Sequence, residues 1–395
     1  MTTHSTHTKN HSQAQVWSAV GSMTMCTAML IASEFMPVSL LTPIATDLHA
    51  TEGMAGQAIS VSGLFAVVTS LFIATISSRF DRRKVLITLT AIMMLSLLMI
   101  AQAPSFSALM VARALLGITI GGFWSLATAT VMRLVAREEV PRALGVLYMG
   151  NAVATAFAAP LGSYLGEAIG WRGVFWALVP MAVLNIAWQC ISLPPMPPQG
   201  AIPASRVLGL LKRRHVRFAI LGVMLSFGGA FSAFTYFRPF LDGYTHASIL
   251  ELTMLLLALG AAGFAGTPIA TALLKGHLYR MLWAIPLAMG LVTLGLVGIG
   301  TFVWPVAVAL AAWGALNAAL PVAWFNWLAK EVADEPDAGG GLMVGAIQLS
   351  IMAGAGVGGL LLDYASITAT FIGAAALLAL AAFTAWKQDR LQPTT

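Results

Sequence analysis

Two ionisable residues stand where charge is costly, and they set the chemistry this chain can perform. Glu34 lies in Leu30-Ile31-Ala32-Ser33-Glu34-Phe35-Met36-Pro37, inside an apolar stretch from about residue 16 to residue 41. That stretch is long enough to cross a bilayer, and an ionisable group within such a segment marks a functional site by default. Arg113 is the one other charge that the sequence places as deep. Dehydration favours the protonated form of Glu34, whereas a nearby guanidinium favours the carboxylate. A balance between the two suits a group that takes up and releases a proton, with Arg113 tuning it. The plain alternative is a static buried ion pair joining two helices, an arrangement that is weak evidence for stability. Counted along the helices, Glu34 lies roughly 27 Å from the start of its span and Arg113 roughly 9 Å from the start of its own, which runs the other way. The two depths overlap in the outer half of the membrane, so contact is allowed.

The elements that must position these groups are membrane helices. The chain is 58% hydrophobic and 9% charged over 395 residues, where a soluble protein carries about 25% charged residues. One soluble core cannot hide so much apolar surface. At about 20 apolar residues per crossing, the sequence offers twelve spans, at 16–45, 54–77, 84–103, 107–134, 142–165, 171–193, 216–241, 248–273, 279–300, 303–329, 340–363 and 367–386.

The net charge of +6 follows a topological pattern and does not indicate nucleic acid. With the N-terminus inside, the cytoplasmic loops collect Arg79, Arg82, Arg83, Lys84, Arg137, Arg142, Arg206, Lys212, Arg213, Arg214, Arg217, Lys275, Arg280 and Lys330, and the tail adds Lys387 and Arg390. The opposite loops and helix ends hold only Arg172 and Arg238. This positive-inside bias predicts a multi-pass plasma (inner) membrane protein with both termini cytoplasmic. Residues 1–15 read as a disordered polar tail rather than a signal peptide. Its His4, His7 and His11 have no Cys or carboxylate beside them, and no metal site is expected. Cys26 and Cys190 both fall in spans and imply no disulfide.

Residues 194–215 form the longest hydrophilic interruption, opening with Pro194-Pro195-Met196-Pro197-Pro198-Gln199-Gly200. Prolines stiffen it, and it has too few apolar residues for a domain. It reads as a cytoplasmic linker between bundles at 16–193 and 216–386, with a short tail at 387–395. The halves carry a faint repeat. Glu34-Phe35-Met36-Pro37 lies over Tyr236-Phe237-Arg238-Pro239, and Arg113 through Trp124 over Trp313 through Trp324. Charge is thereby expected in the first half, and aromatic and amide groups in the second. Such duplication is a mark of transporter folds. Glycine clusters such as Gly117, Gly121 and Gly122 mark close helix packing.

Family motifs point the same way. Ala74-Thr75-Ile76-Ser77-Ser78-Arg79-Phe80-Asp81-Arg82-Arg83-Lys84 resembles the Gly-x-x-x-Asp-Arg-x-Gly-Arg-Arg loop of the major facilitator superfamily. It departs by Ala74 at the first glycine, Ser78 at the acidic position and Asp81 at the second glycine. In the family this loop latches the cytoplasmic side through paired charges. Here Asp81 is left as the anion. Arg113-Ala114-Leu115-Leu116-Gly117-Ile118-Thr119-Ile120-Gly121-Gly122 resembles the family's fourth-helix motif, whose arginine is tied to proton coupling. Gly150-Asn151 with Ala159-Pro160-Leu161-Gly162 resembles the antiporter motif, so Gly150, Pro160 and Gly162 are its residues here. Gly170-Trp171-Arg172-Gly173-Val174-Phe175 is similar to a family marker at the sixth span. Within the drug/proton antiporter-like branch, Glu34 through Pro43, Glu52 through Gln57 and Gly121-Gly122-Phe123-Trp124 resemble bacterial purine ribonucleoside efflux pumps. The resemblance implies an all-α membrane protein of twelve helices in two pseudo-symmetric six-helix bundles around a central cavity.

A nucleoside needs stacking surfaces and uncharged hydrogen-bonding groups. The spans offer Phe123, Trp124, Asn151, Tyr236, Asn317, Trp324, Asn326 and Gln348. The expectation is a monomeric proton antiporter that exports small polar solutes by alternating access and needs no cofactor beyond the coupling proton. Sugar or multidrug export on the same fold, and a transport-inactive membrane sensor, are the rivals. No Gly-x-x-x-x-Gly-Lys-Ser/Thr phosphate loop occurs in the chain to drive ATP-fuelled pumping. No metal cluster or nucleophile elbow points to an enzyme.

Overall fold

The computed structural model describes residues 13–77, 79–198, 204–273, 277–332 and 334–390. The histidines of the N-terminal tail, Ser78 and Lys275 lie outside the described residues. The protein is built of helices: α1 (Gln13–Asp47), α2 (Glu52–Ser77), α3 (Arg82–Ala101), α4 (Phe106–Leu134), α5 (Val140–Ser192), α6 (Ala204–Gly209), α7 (Arg214–Phe234), α8 (Phe237–Gly243), α9 (Ile249–Leu273), α10 (Leu278–Ile299), α11 (Val303–Glu331), α12 (Pro336–Tyr364) and α13 (Ile367–Arg390). Among the described residues, eleven helical segments are long and apolar enough to cross a membrane. One of them, Arg142–Ser192, has 51 residues, more than twice the length a ~30 Å hydrocarbon layer accommodates.

That long helix is a hairpin. Gly170 has φ 72° and ψ 159°, inside α5. A positive φ is open to glycine and strained for other residues. The contacts show the reversal. Glu139, just before α5, accepts a hydrogen bond from Gln13 at the start of α1. Trp171, just past the break, donates to Asp47 at the end of α1. Ser192, at the end of α5, donates to Ser22 back near the start of α1. The chain thus runs along α1 and returns. Arg172 pins the tip, reaching Asp47 and the carbonyl of Ala103 in the α3–α4 turn.

Each half buries its own core. The first packs Met23, Leu30, Leu97, Leu116, Phe123 and Phe175. The second packs Phe234, Phe237, Met289, Trp313, Trp324 and Phe371. The inter-bundle segment is anchored at both ends, Leu193 and Met196 in the first core and Leu210 in the second, and it contains the short helix α6. The bundles meet where α2 packs on α12 and α5 on α9. Among the described residues, the hydrogen bonds joining them gather at the end that holds Asp47. Thr51 and the Gly53 amide donate to Asp363, Gln57 to the Gly356 carbonyl, Ser60 to the Met352 carbonyl, and Thr253 to Ser163.

Candidate functional site

The site grows from two prolines in α1. Pro37 and Pro43 lie inside the helix, and proline has no amide hydrogen for the carbonyl four residues earlier. The carbonyls of Ser33 and Ser39 are therefore left without their helical donors. In a membrane interior an unsatisfied backbone group is costly. The structure supplies a buried arginine to each. Arg113, on α4, donates from Nη1 to the Ser33 carbonyl at 2.9 Å and from Nε to the Ala58 carbonyl of α2 at 3.1 Å. Arg238, on α8 of the other bundle, donates from Nη1 to the Ser39 carbonyl. Its Nε holds Asp242 at 3.0 Å.

Glu34 sits between these two capped carbonyls, 6% exposed. Arg113 is 1% exposed and within electrostatic range of Glu34. The two do not form an ion pair within 4 Å, and no hydrogen bond reaches the Glu34 carboxylate among the described residues. Nη2 of Arg113 is buried without a partner. The guanidinium is thus held by carbonyls, which do not titrate. Protonation of Glu34 can change without releasing Arg113. Ser62 closes the α2–α4 contact by donating to the Arg113 carbonyl at 3.0 Å. Phe35, the next residue on α1, points to the second bundle and packs on Phe231 and Phe234 at ring distances of 6.0 and 5.3 Å.

Arg238, which the sequence reading grouped with helix-end charges, does lie near the end of its span, and it is buried there. It is 8% exposed. The usable signal was Pro43: a proline inside a span four residues after Ser39 announces a carbonyl in need of a donor.

The other sequence-derived residues fall into distinct settings. Trp124 stacks on Tyr148 at 6.0 Å and 17°, and Asn151 follows one helical turn after Tyr148 on α5, partly buried. Tyr148 was not among the residues picked from sequence, and its spacing of three from Asn151 is the signal that finds it. Phe123 and Trp324 are fully buried in the first and second cores, so in this conformation they support the bundle rather than touch a solute. The indole N–H of Trp324 and Oε1 of Gln348 lack partners among the described residues. Asn317 is partly buried. Asn326 is exposed and donates to Val322 of its own helix. Tyr236 is buried, donates to the Ala355 carbonyl at 2.7 Å, and lies against Gly56, where a Cβ would sit 2.0 Å from its hydroxyl.

The motif residues are structural in this conformation. Asp81 accepts from the Arg83 and Met196 amides, capping α3 and tying down the segment after α5. Both partners belong to its own half, so its charge is spent on a cap. Arg79 is exposed, Arg82 has a buried nitrogen without a partner, and Arg83 donates to the Cys190 carbonyl. Gly150 and Gly162 lie against Thr24 and Ser39 of α1. Pro160 releases the Ala156 carbonyl, where α9 approaches so closely that a Cβ on Gly260 would stand 2.1 Å from that oxygen.

Comparison with known proteins agrees with this architecture. The model described as Major Facilitator Superfamily matches residues 23–339. A protein named transcription regulatory protein OpdE, from Pseudomonas aeruginosa, is 47% identical over 391 residues, covering 97% of each chain. A purine ribonucleoside efflux pump NepI from Escherichia coli is 39% identical over 366 residues, covering 93% of this chain and 92% of that one. One from Salmonella paratyphi B is 38% identical over 377 residues, covering 95% of each. An all-helical membrane bundle, a short-range family loop and matches along almost the whole length make one conclusion plain: this chain is a member of the major facilitator superfamily, a family of membrane transporters.

Proposed function

We propose that this protein exports purine ribonucleosides, inosine among them, across the plasma membrane in exchange for protons. Counting the α5 hairpin as two crossings supports a reading of twelve spans, and the basic loops support a cytoplasmic side for both termini. The end joined by Asp363 and Arg238 is then the outer one. The observation that carries the proposal is the setting of Glu34, a buried carboxylate without a partner, beside an arginine that two carbonyls hold in place. A carrier must bind its proton and give it up. A closed ion pair would resist that, whereas Arg113 anchored elsewhere leaves Glu34 free to titrate. The relatives named as purine ribonucleoside efflux pumps supply the solute class. The Trp124–Tyr148 stack, with Asn151 one turn away, offers a base the aromatic surface and amide it requires.

A specific observation keeps a second reading in view. The relative at 47% identity is named a transcription regulatory protein, which favours a membrane sensor that binds a solute and signals. One experiment separates the two. The purified protein is reconstituted in liposomes, a pH gradient is imposed, and radiolabelled inosine is followed. Antiport predicts gradient-driven flux that falls to about a tenth or less in Glu34→Gln, in the range by which a positioned proton-transfer group matters. Inosine binding without flux in the wild type supports the sensor. Full flux in Glu34→Gln removes Glu34 as the carrier.

A further inference from the structure

Beside the closed end lies a cavity of about 420 Å³ between α2 and α12, of a size that holds a sizeable organic group. Its walls are Met54 and Gln57 of α2 with Val357, Leu360, Asp363 and Tyr364 of α12. It opens sideways. Met54 begins an exposed apolar strip on α2 that continues at helical spacing through Phe65, Val68 and Phe72, a face suited to acyl chains and not to water. On the facing helix, Val357 and Leu360 are exposed in the same way.

The mouth of this groove is acidic. Asp363 is exposed, and no lysine or arginine pairs with it within 4 Å among the described residues. Its oxygens accept from the Gly53 amide at 3.0 Å and the Thr51 hydroxyl at 2.6 Å. A carboxylate of the second bundle thereby caps the first turn of a helix in the first. These bonds fix the carboxylate without neutralising it, and each oxygen has lone pairs left. Tyr364 follows, 87% exposed at the end of a span, where tyrosines mark the headgroup level.

We propose that the groove holds a phospholipid of the surrounding bilayer whose headgroup ends in a primary ammonium, with the ammonium on Asp363 and an acyl chain between α2 and α12. A primary ammonium brings a charge and three donors, a trimethylammonium brings the charge without donors, and an anionic headgroup meets repulsion. Such a lipid touches both bundles at the end where they are joined.

The test is competition on the full-length protein. The protein is equilibrated with mixed vesicles of phosphatidylethanolamine and phosphatidylcholine carrying identical acyl chains, and the lipids it retains are counted by native mass spectrometry. The expected result is about fivefold more retained ethanolamine lipid, the scale of the net hydrogen bond that the trimethylammonium cannot make. Asp363→Asn keeps the cap, since asparagine caps as well as aspartate, and brings the ratio to parity. Val357→Trp fills the groove and lowers retention of both lipids. Equal retention by the wild type, or an unchanged preference in Asp363→Asn, overturns the proposal. If Asp363→Asn does not fold, the wild-type ratio decides alone. Displacement of the lipid by an equal concentration of soluble phosphoethanolamine overturns the assignment to a lipid.

Discussion

The two bundles meet the same positions of an internal repeat with opposite chemistry. In the first, the paired positions are Glu34 and Arg113. In the second they are Tyr236 and Trp313. Trp313 is fully buried, stacked on Phe234 at 6.0 Å and 5° and edge-on to Phe237 at 4.9 Å, with its indole bonded to Thr293 at 3.1 Å. Tyr236 is satisfied by a carbonyl of its own bundle. At these two positions the phenol hydroxyl and the indole N–H each have a neutral partner. In the first bundle a carboxylate is left open beside a buried cation. The difference is one of chemistry: one bundle buries a carboxylate beside a cation, and the other presents a packed aromatic cluster at the matching positions. Arg238 is the exception, a charge of the second bundle spent on the backbone of the first.

The comparison breaks most visibly if the bundles are not separate bodies. A Cβ at Gly117 would stand 2.2 Å from the Ser62 carbonyl, backbone against backbone inside the first bundle. Gly117→Val should therefore cost about 3 kcal/mol or more and be seen as lost folded yield. At Gly56 the obstacle is the Tyr236 side chain of the other bundle, which can swing. Gly56→Ala should fold, and should raise thiol-reagent labelling of a cysteine placed at Thr51. Equal loss of fold in both variants would mean that the halves are one unit.

Next in size are two mutant cycles. Arg113→Met strips donors from Ser33 and Ala58, and should lower stability by about 2 kcal/mol. Pro37→Ala restores the helical amide for Ser33 and should recover about 1 kcal/mol of that loss in the double variant. Arg238→Met with Pro43→Ala should behave alike for Ser39. Additive cycles, read by thermal unfolding in one detergent, would deny that the arginines serve the prolines. Trp313→Phe should cost less, about 1 kcal/mol, through the bond to Thr293, and leave any proton dependence of transport unchanged.

The smallest effect concerns pH at the surface. Arg213 donates to both oxygens of Asp334, at 2.9 and 2.6 Å, and this holds the Asp334 carboxyl below its ordinary value. A carboxyl lowered by folding stabilises above its unfolded value, and that contribution is lost as the pH falls through the lower, folded one. Asp334→Asn should lower the melting temperature slightly near neutrality and leave it unchanged in strong acid, so that the variant is slightly less sensitive to acid.

Much of this architecture is legible in sequence, because hydropathy is a sum over many residues. The spans at 84–103 and 367–386 match α3 and α13 within a few residues. The reversal at Gly170 follows from the gap between the spans at 142–165 and 171–193, although the helix itself continues to the glycine. The break between α7 and α8 escaped notice within a single stretch at 216–241. Glu34 and Arg113 stand out because charge in an apolar run is rare. Their geometry does not, since the partners of Arg113 are carbonyls, which every residue possesses. Only the prolines reveal which carbonyls are free. Asp81 was open to a latch role by its charge; its cap on the Arg83 amide is local, but its second bond, from the Met196 amide, comes from far along the chain.

The bond from Arg238 to Ser39 has a consequence for how this protein can change over generations. Its acceptor is main chain, so changing the side chain at position 39 does not delete it, and drift there is limited by burial against Gly162. The contact can be lost through Arg238 alone, or made superfluous through Pro43. A lineage that alters either one places the other under altered selection. The two codons, nearly two hundred positions apart, are expected to travel together.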